Sequence, residues 1–453
     1  MSSVRKRVAA TTVAALCVVT TGCTSSISAP TPSPSPSPST PSASVPEALK
    51  LNFSVYGDEA EIESYVHLAN AFTSSNSNVT ITVSRAPDAD AAMDNLRSGF
   101  DNGNPPDVFL AGHQDLPALV AEELVQPVDQ LLEDRELDFG DGFQRDTLAA
   151  FSADAALQCM PHDVSPLVVY YNEELLDLST LVAEDEEPPT AETGWTWEQF
   201  AQAASQMSRG RVKGVYLDPS LEQLTPFIRS AGGEVVDDVA APTTLTLSDG
   251  DTRAALEQVL TLARDPQLTP TQAEIQRRGA VARFKRGRIA MILGTRELTP
   301  ELRAATALDF EVMPLPSLGS YRTVTAMNGY CISSQTENVE AAADFLAFAV
   351  GREGATITSA GGYVVPSNLE VALSPVFIQP GREPANSFVF NDGVRRADPM
   401  PFVPEWPEVL EAVRPSLEQM FYTPVIDLDV MLDQIDALSE PILAPEEETP
   451  TPE

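Results

Sequence analysis

The sequence of 453 residues has few basic side chains: 28 Lys and Arg stand against 66 Asp and Glu. Proteins bind DNA and RNA largely through Lys and Arg that neutralise phosphates, so no nucleic acid partner is expected. Histidine and cysteine are also scarce, with three and four residues. His67, His113 and His162 lie far apart, and no HExxH or CxxC segment occurs, so neither a metal site nor a cofactor is expected.

The sequence also lacks the common motifs of enzymes. No GxSxG, P-loop or GxGxxG segment opens a predicted helix, and we therefore expect a protein that is not an enzyme. Carboxylates are abundant, and the separation of a glycosidase carboxylate pair is a property of the fold. A surface glycosidase, or an adhesin, therefore stays open as an alternative.

The N-terminal apolar run is too short to remain as a membrane-spanning helix. Basic residues 5–7 precede the run 8–19, which has the length of a signal-peptide core. The segment 20–23, TTGC, resembles the lipobox of bacterial lipoproteins, although Thr20 replaces the usual aliphatic residue. The resemblance predicts a signal peptide over residues 1–22 and a lipidated Cys23. The alternative is an ordinary secretory signal.

The two ends of the mature chain have compositions that do not favour folding. Residues 23–47 are mostly Ser, Thr, Pro and Ala, which favours an extended, disordered tether. Residues 444–453 are rich in Glu and Pro, and we expect a disordered acidic tail. The length of the chain between them suggests more than one domain, because single cores stop growing at roughly 250–300 residues.

Strands and helices alternate in the folded part. Residues 49–112 read as β-α-β-α-β, which predicts a parallel sheet flanked by helices. In open α/β sheets, ligands bind beyond the carboxyl ends of the strands. The loops 56–59 and 111–115 are therefore the first candidates for a site. A second α/β unit follows, with a buried strand at 289–293 and a loop at 294–297.

Seven segments resemble one known family in their order and spacing. They are PPDVFLAG, MPHDVSPLVVYYNEELL, GWTWEQFAQAASQM, FKRGRIAMIL, NGYCISSQTENVEAAADFLAFAV, GGYVVPSN and VIDLDVMLDQIDALSEPIL. Together they resemble the family 1 extracellular solute-binding proteins of ABC importers, the maltose-binding-protein-like group. The resemblance covers the chain from Leu49 to about Leu443.

The resemblance implies an α/β fold with two lobes, the type II periplasmic-binding-protein-like fold. Each lobe is a sheet flanked by helices, and hinge strands join the two. The implied ranges are 48–158 with 332–385 for the first lobe, and 162–329 with 386–443 for the second. The segments QCMPHDV and NGYCIS would be the crossings. Since the family pairs these two segments, Cys159 and Cys331 are predicted to form a disulfide.

The resemblance also implies which residues meet the ligand. Sugar-binding members use aromatic rings against sugar faces and polar groups for hydroxyls. The positions that match are Tyr56, Asp58, His113, Gln114, Asp115, Asp163, Ser165, Glu222, Gln223, Thr295, Arg296, Asn328, Gly329, Gly362, Tyr363, Phe402 and Trp406. Arg296 has the alternative of pairing with a nearby carboxylate. Tyr170 and Tyr171 lie in an apolar strand, and we expect them in the core.

The implied function is capture of a sugar or oligosaccharide and its delivery to ABC transporter permease subunits. The protein would act as a monomer on the extracellular face of a Gram-positive cell membrane, held by its N-terminal lipid. The alternative on the same scaffold is a non-sugar solute such as a polyamine, a phosphonate or an iron complex.

Overall fold

The structure is a computed structural model, and it describes residues 48–137, 139–182 and 187–444. The strands are β1 Leu49–Tyr56, β2 Val79–Ala86, β3 Val108–Gly112, β4 Val125–Gln126, β5 Ser152–Ala153, β6 Ala156–Leu157, β7 Cys159–Pro166, β8 Val168–Asn172, β9 Lys213–Tyr216, β10 Ile289–Gly294, β11 Phe310–Met313 and β12 Thr325–Ser333. The helices are α1 Glu59–Ser75, α2 Ala89–Asp101, α3 Leu116–Ala121, α4 Asp129–Glu133, α5 Arg145–Ala150, α6 Trp197–Met207, α7 Leu221–Ser230, α8 Gly250–Ala263, α9 Gln272–Arg277, α10 Ala280–Phe284, α11 Leu298–Arg303, α12 Val339–Val350, α13 Arg352–Ala360, α14 Leu369–Ala372, α15 Pro375–Ile378, α16 Phe388–Val394, α17 Trp406–Tyr422 and α18 Leu428–Leu443. Short 3₁₀ helices cover His113–Asp115 and Leu178–Leu181.

The first lobe is built on a sheet with the strand order β2-β1-β3-β12-β4, and β7 also pairs with β12. Strands β2 and β3 run parallel to β1, as the alternation of strands and helices predicts. Strand β12 runs antiparallel to β3, β4 and β7. The sheet is therefore mixed, because a strand from late in the chain joins the parallel unit.

The second lobe is built on a sheet with the strand order β11-β8-β10-β9. Strand β8 is fully buried, and its side chains alternate between two core clusters. Val169 and Tyr171 pack on one face, whereas Val168 and Tyr170 pack on the other. A strand covered on both faces reads as a continuous apolar run, which is why the sequence indicates a core position for both tyrosines.

Strands β7 and β12 cross between the lobes. Cys159 at the start of β7 packs in the core of the first lobe, whereas Leu167, just after its end, packs in the core of the second. Strand β12 runs the opposite way, since Val324 belongs to the second core and Tyr330 to the first. The predicted crossing segments begin or lie within these two strands, and the second core is reached at Leu167 and Val324.

Cys159 and Cys331 are opposite each other in the pairing of these strands and form a disulfide. Their Cα atoms are 4.4 Å apart, and both residues are fully buried. The predicted disulfide is confirmed. It fastens the two crossing strands to each other at their ends in the first lobe.

A further segment, residues 361–368, runs beside β7. The Val164 amide donates to Val365 O at 2.9 Å, and the Ser367 amide donates to His162 O at 3.0 Å. Val365 and Phe377, which the predicted boundaries assign to the first lobe, pack in a core cluster with strands of the second sheet. Helix α13, just before this segment, packs on α1 in the first lobe.

Several predictions concern parts of the chain that the structure does not describe. The signal peptide, the lipid site at Cys23 and the tether lie outside the described residues, as does the acidic tail beyond Ala444. In the part that is described, no helix combines the length and the apolar character needed to cross a membrane.

Candidate ligand-binding cleft

A cavity of about 770 Å³ is lined by residues from both lobes. It is bounded by the end of β1, the start of α1, the loop after β3, the loop after β10, and the crossing strands. The lining residues are Tyr56, Gly57, Asp58, Glu61, Pro87, Asp88, Ala89, Gly112, His113, Gln114, Asp115, Asp163, Leu167, Glu222, Thr295, Glu297, Leu298, Glu301, Val324, Thr325, Ala326, Met327, Asn328, Tyr363, Met400, Pro401, Trp406 and Leu410.

The turn from β1 into α1 places two carboxylates on the cavity. Asp58 is the N-cap of α1, and its Oδ1 accepts hydrogen bonds from the amides of Ala60 and Glu61 at 2.9 and 2.8 Å. Gly57 has φ +134°, and a Cβ at this position would lie 2.2 Å from Glu61 Oε2. The turn therefore favours glycine because of this positive φ, and a larger residue would also displace the Glu61 carboxylate.

Two tyrosines connect the cavity wall to the crossing segments. The Tyr56 hydroxyl donates to Asn328 Oδ1 at 2.6 Å, and thereby joins the end of β1 to β12. The Tyr363 hydroxyl donates to Asp58 Oδ2 at 3.0 Å. These bonds hold both phenol groups in place, so a ligand would meet aromatic side chains that are already oriented.

Asp163 is the buried carboxylate at the base of the cavity, on β7. It accepts hydrogen bonds from the Val365 amide at 2.6 Å and from Ser165 Oγ at 2.8 Å. Burial raises the pKa of Asp163 to about 7, because the two hydrogen bonds offset only part of the cost of removing the charge from water. Glu297 adds to this rise in the pKa.

Glu61 and Glu297 face the cavity from different lobes. Burial raises the pKa of Glu61 to about 8, with further increases from Glu297, Asp163 and Asp58. Burial also raises the pKa of Glu297, and Asp58 adds to it. A negative charge on one of these groups therefore opposes ionisation of the others.

The loop after β3 contributes an imidazole and a further carboxylate. The His113 ring packs against Phe402 with the centroids 4.9 Å apart. Burial lowers the pKa of His113 to about 4, so the ring is neutral near pH 7. Burial raises the pKa of Asp115 to about 6, and its Oδ2 is buried without a hydrogen-bond partner among the described residues.

Residues 67–384 match a protein family described as bacterial extracellular solute-binding protein. The match covers well over half of the chain and includes β7, β10 and β12. The chain belongs to this family. A search among curated protein sequences finds no match to this solute-binding protein.

Solved structures of sugar-binding proteins share the fold of this solute-binding protein. An ABC substrate-binding protein from Listeria monocytogenes, in complex with cycloalternan, superposes with a TM-score of 0.75 at 18% identity, covering 86% of this chain and 98% of that one. The GacH receptor of Streptomyces glaucescens, solved unliganded and with acarbose, gives a TM-score of 0.74 at 18% identity, with 87% and 98% covered. The sugar-binding protein MalE from Xanthomonas citri gives 0.74 at 18% identity, with 87% and 97% covered. The two-lobed fold is therefore confirmed.

Most of the residues predicted to meet the ligand line the cavity of this solute-binding protein. They are Tyr56, Asp58, His113, Gln114, Asp115, Asp163, Glu222, Thr295, Asn328, Tyr363 and Trp406. They come from eight separate stretches of the chain, which the ends of the strands and the crossings bring together. Their contact with a ligand stays a prediction.

Arg296 is the clearest departure among the remaining predicted residues. It does not line the cavity, and its side chain is fully buried on the far side of the loop after β10. Its Nε donates to Gly362 O at 3.1 Å and its Nη1 to Ser387 Oγ at 3.0 Å. The guanidinium also lies over the ring of Phe377, 4.9 Å from the centroid. Among the described residues, no carboxylate forms an ion pair with it either.

Five other predicted residues support the wall without lining it. Ser165 donates to Asp163, and the Gln223 side chain accepts from the Asp218 amide at 2.8 Å. A Cβ on Gly329 would lie 2.5 Å from the ring of Phe151, so this glycine faces the first core. The remaining two are Gly362, whose carbonyl holds Arg296, and Phe402, which packs on His113.

The predictions missed several acidic residues of the cavity. Glu61 lies in the first turn of α1, and Glu297 directly follows Arg296 in the loop after β10. Both lie close to predicted positions. Ligands of α/β sheets bind in the loops after the strands, and this rule indicates Glu297 as readily as Arg296. Within the described residues, no group of His, Cys, Asp and Glu is arranged to hold a metal ion.

Proposed function

We propose that this protein captures a carbohydrate in the cleft between its lobes and delivers it to the permease of an ABC importer. The observation that carries the proposal is the cavity of about 770 Å³, lined from both lobes, in a chain of the solute-binding family. Tyr56, Tyr363 and Trp406 line it beside many hydrogen-bonding groups. Aromatic side chains next to polar groups suit a sugar, whose ring has apolar faces and a hydroxylated edge.

The mechanism is binding rather than catalysis. A solute that contacts both lobes favours the closed form, because only a ligand with different affinities for two states shifts their populations. The permease would then recognise the closed protein. The structural neighbours named above with cycloalternan and acarbose support a carbohydrate as the class of solute.

A screen by thermal shift, followed by calorimetry, tests the proposal. We expect mono- or oligosaccharides to raise the melting temperature of the protein, and Tyr56→Ala to weaken binding of the best one about tenfold or more while the protein stays folded. Tyr56→Phe is the matched variant, because it keeps the ring and removes only the hydroxyl bonded to Asn328. A screen in which only non-sugar solutes bind would contradict the carbohydrate. Release of shorter sugars from a bound oligosaccharide would favour a glycosidase.

We also propose that the protein is held on the outer face of the cell membrane by lipid on Cys23, with residues 23–47 as a tether. The support is the TTGC segment after an apolar run, in a family of extracellular proteins. Mass spectrometry of the mature N-terminus tests it. We expect a chain that begins at a diacylated Cys23, and an unlipidated Cys23 would rule out the anchor.

A further inference from the structure

The side chains of the cavity wall that can carry a charge near pH 7 are carboxylates. These carboxylates are Asp58, Glu61, Asp88, Asp115, Asp163, Glu222, Glu297 and Glu301. Among the described residues no Lys or Arg lines the cavity, and the one imidazole, His113, is neutral near pH 7. A closed cleft would therefore enclose negative charge from both lobes, which is costly unless the ligand offsets it.

The basic residues near the cavity are engaged elsewhere. Lys285 pairs with Glu301 at 2.9 Å, at the edge of the site. Arg97 pairs with Glu122 at 3.1 Å, and only its longer-range field reaches Asp115. Arg296 lies behind the wall with its guanidinium bonded to backbone and hydroxyl oxygens.

The centre of the cleft consequently has carboxylates without cations. Glu61 accepts one long hydrogen bond from the Tyr65 hydroxyl, at 3.3 Å. The Glu297 carboxylate accepts no hydrogen bond from any described residue, and Glu297 lines the cavity. Glu297 raises the pKa of Glu61 across the lobe boundary, and it also raises the pKa of Asp163 on β7. Glu61 and Glu297 are the pair whose charge a bound solute could neutralise.

We propose that the solute is a carbohydrate with a basic amine, and that its ammonium group lies between Glu61 of the first lobe and Glu297 of the second. This inference rests on the proposed function, since it names the sugar's charge and not a new site. An ammonium group donates three hydrogen bonds, and those to carboxylates are roughly twice as strong as neutral ones. It would also bridge the lobes, so it would favour the closed form over the open form.

A neutral sugar would fit the acidic cleft less well than a sugar with an amine. Its hydroxyls can donate hydrogen bonds to carboxylates, but it carries no positive charge to offset the repulsion between the carboxylates of the two lobes on closure. A non-sugar cation such as a polyamine would neutralise the charge but would leave the partly exposed ring of Tyr56 without a sugar face to contact. The combination of rings and carboxylates favours the amine-bearing sugar.

The experiment compares ligands that differ only in the charge of their amines. Glucosamine dimers and trimers, and kanamycin, are each measured by calorimetry against their fully N-acetylated forms, alongside a panel of neutral oligosaccharides and spermidine. We expect an amine-bearing sugar to bind at least tenfold more tightly than its acetylated form and than every neutral member. Glu61→Gln and Glu297→Gln should each weaken the amine about tenfold, and Glu63→Gln should not. Glu63 is exposed on α1 and does not line the cavity.

Each outcome separates the inference from the proposed function. Neutral or acetylated sugars that bind as tightly as the amines would overturn the amine and leave the carbohydrate function intact. Binding of spermidine alone would overturn both the sugar and the amine-bearing sugar. Absence of binding by the whole panel would count against both. Equal loss of amine affinity in Glu63→Gln would show that overall charge, and not the Glu61 and Glu297 pair, attracts the ligand.

Discussion

The Glu61 carboxylate lies against Gly57, with Tyr65 as its hydrogen-bond donor, in a cavity that holds three other carboxylates near it. Removal from water and the neighbouring negative charges both oppose its ionisation, which is why its pKa rises to about 8. Ionising Glu61 therefore lowers the stability of the folded, ligand-free protein, and a bound cation would offset this loss of stability. Sites that bind charged ligands often have such a conflict between stability and function.

Glu61→Gln should stabilise the ligand-free protein, and the gain should grow with pH. The folded pKa, about 8, lies above the unfolded value of 4.5, so the folded state binds more protons between these limits and its stability falls as pH rises through them. Above pH 8 the loss is complete. We expect the variant's melting temperature to exceed that of the parent by about 1–3 °C at pH 8 and to approach it near pH 5.

Circular dichroism melts at several pH values measure this difference. The groups that face Glu61 are Asp58, Asp163, Glu297 and the phenol of Tyr65, and all are unchanged in the variant. Glu63→Gln removes a charge from the same helix at an exposed position, and it is the control. A gain that is equal at pH 5 and pH 8 would contradict the account of Glu61.

Arg296 marks the limit of what single positions reveal. The sequence predicts where the buried strand before Arg296 ends, and it predicts a site in the following loop. The sequence does not predict in which direction the Arg296 side chain points. This direction depends on Ser387 and Phe377, which are 91 and 81 positions away in the chain. The tertiary partners turned Arg296 into the core and left Glu297 on the cleft.

Among the elements, strands β7 and β12 determine how the two lobes are connected. They pair along most of their length, with an irregularity between Asn328 and Gly329. On one side of it β12 lines the cavity, and on the other it joins the first sheet. The disulfide lies on the side of the first lobe, so it fastens the strands there and leaves their cavity-lining parts unlinked.

Replacing Cys159 and Cys331 with Ala should lower the free energy of unfolding without changing the fold. The disulfide joins residues 172 positions apart. By the chain-entropy relation, a loop of this size is worth about 5 kcal/mol, which the two buried alanines would not recover. Urea unfolding of the parent and the double variant measures the loss. The reductant dithiothreitol should destabilise the parent and leave the variant unchanged, and an equal effect on both would contradict the role of the bond.

The sequence predicts the individual helices and strands better than it predicts the boundaries of the lobes. Strand β1, helix α1 and strand β10 follow from local periodicity and caps, because each depends on neighbours in the chain. The return of residues 361–368 beside β7 depends on pairing across about 200 positions, as in the bond from the Val365 amide to Asp163. No local pattern encodes such a pairing, and the second lobe therefore gains Val365 and Phe377.

At the scale of the whole molecule, the facing carboxylates give each lobe a negative rim on the cleft. Asp58 and Glu61 lie on the first lobe, and Glu297 lies on the second. Their repulsion grows as the lobes approach and is screened by salt, with a Debye length of about 30 Å at 0.01 M and about 3 Å at 1 M. The ligand-free protein should therefore be more open at low salt than at high salt.

Small-angle X-ray scattering, extrapolated to zero protein concentration, measures this opening. At pH 9, above the pKa of about 8 of Glu61, we expect the radius of gyration of residues 48–444 without ligand to be larger in 10 mM than in 500 mM NaCl. The double variant Glu61→Gln/Glu297→Gln should lose most of that response, because the repulsion across the cleft is gone. Glu63→Gln/Glu257→Gln removes the same charge from exposed helix positions, one in each lobe, and should keep it. If both double variants respond to salt as the parent does, then the net negative charge of the whole chain, and not the charge in the cleft, governs the separation of the lobes.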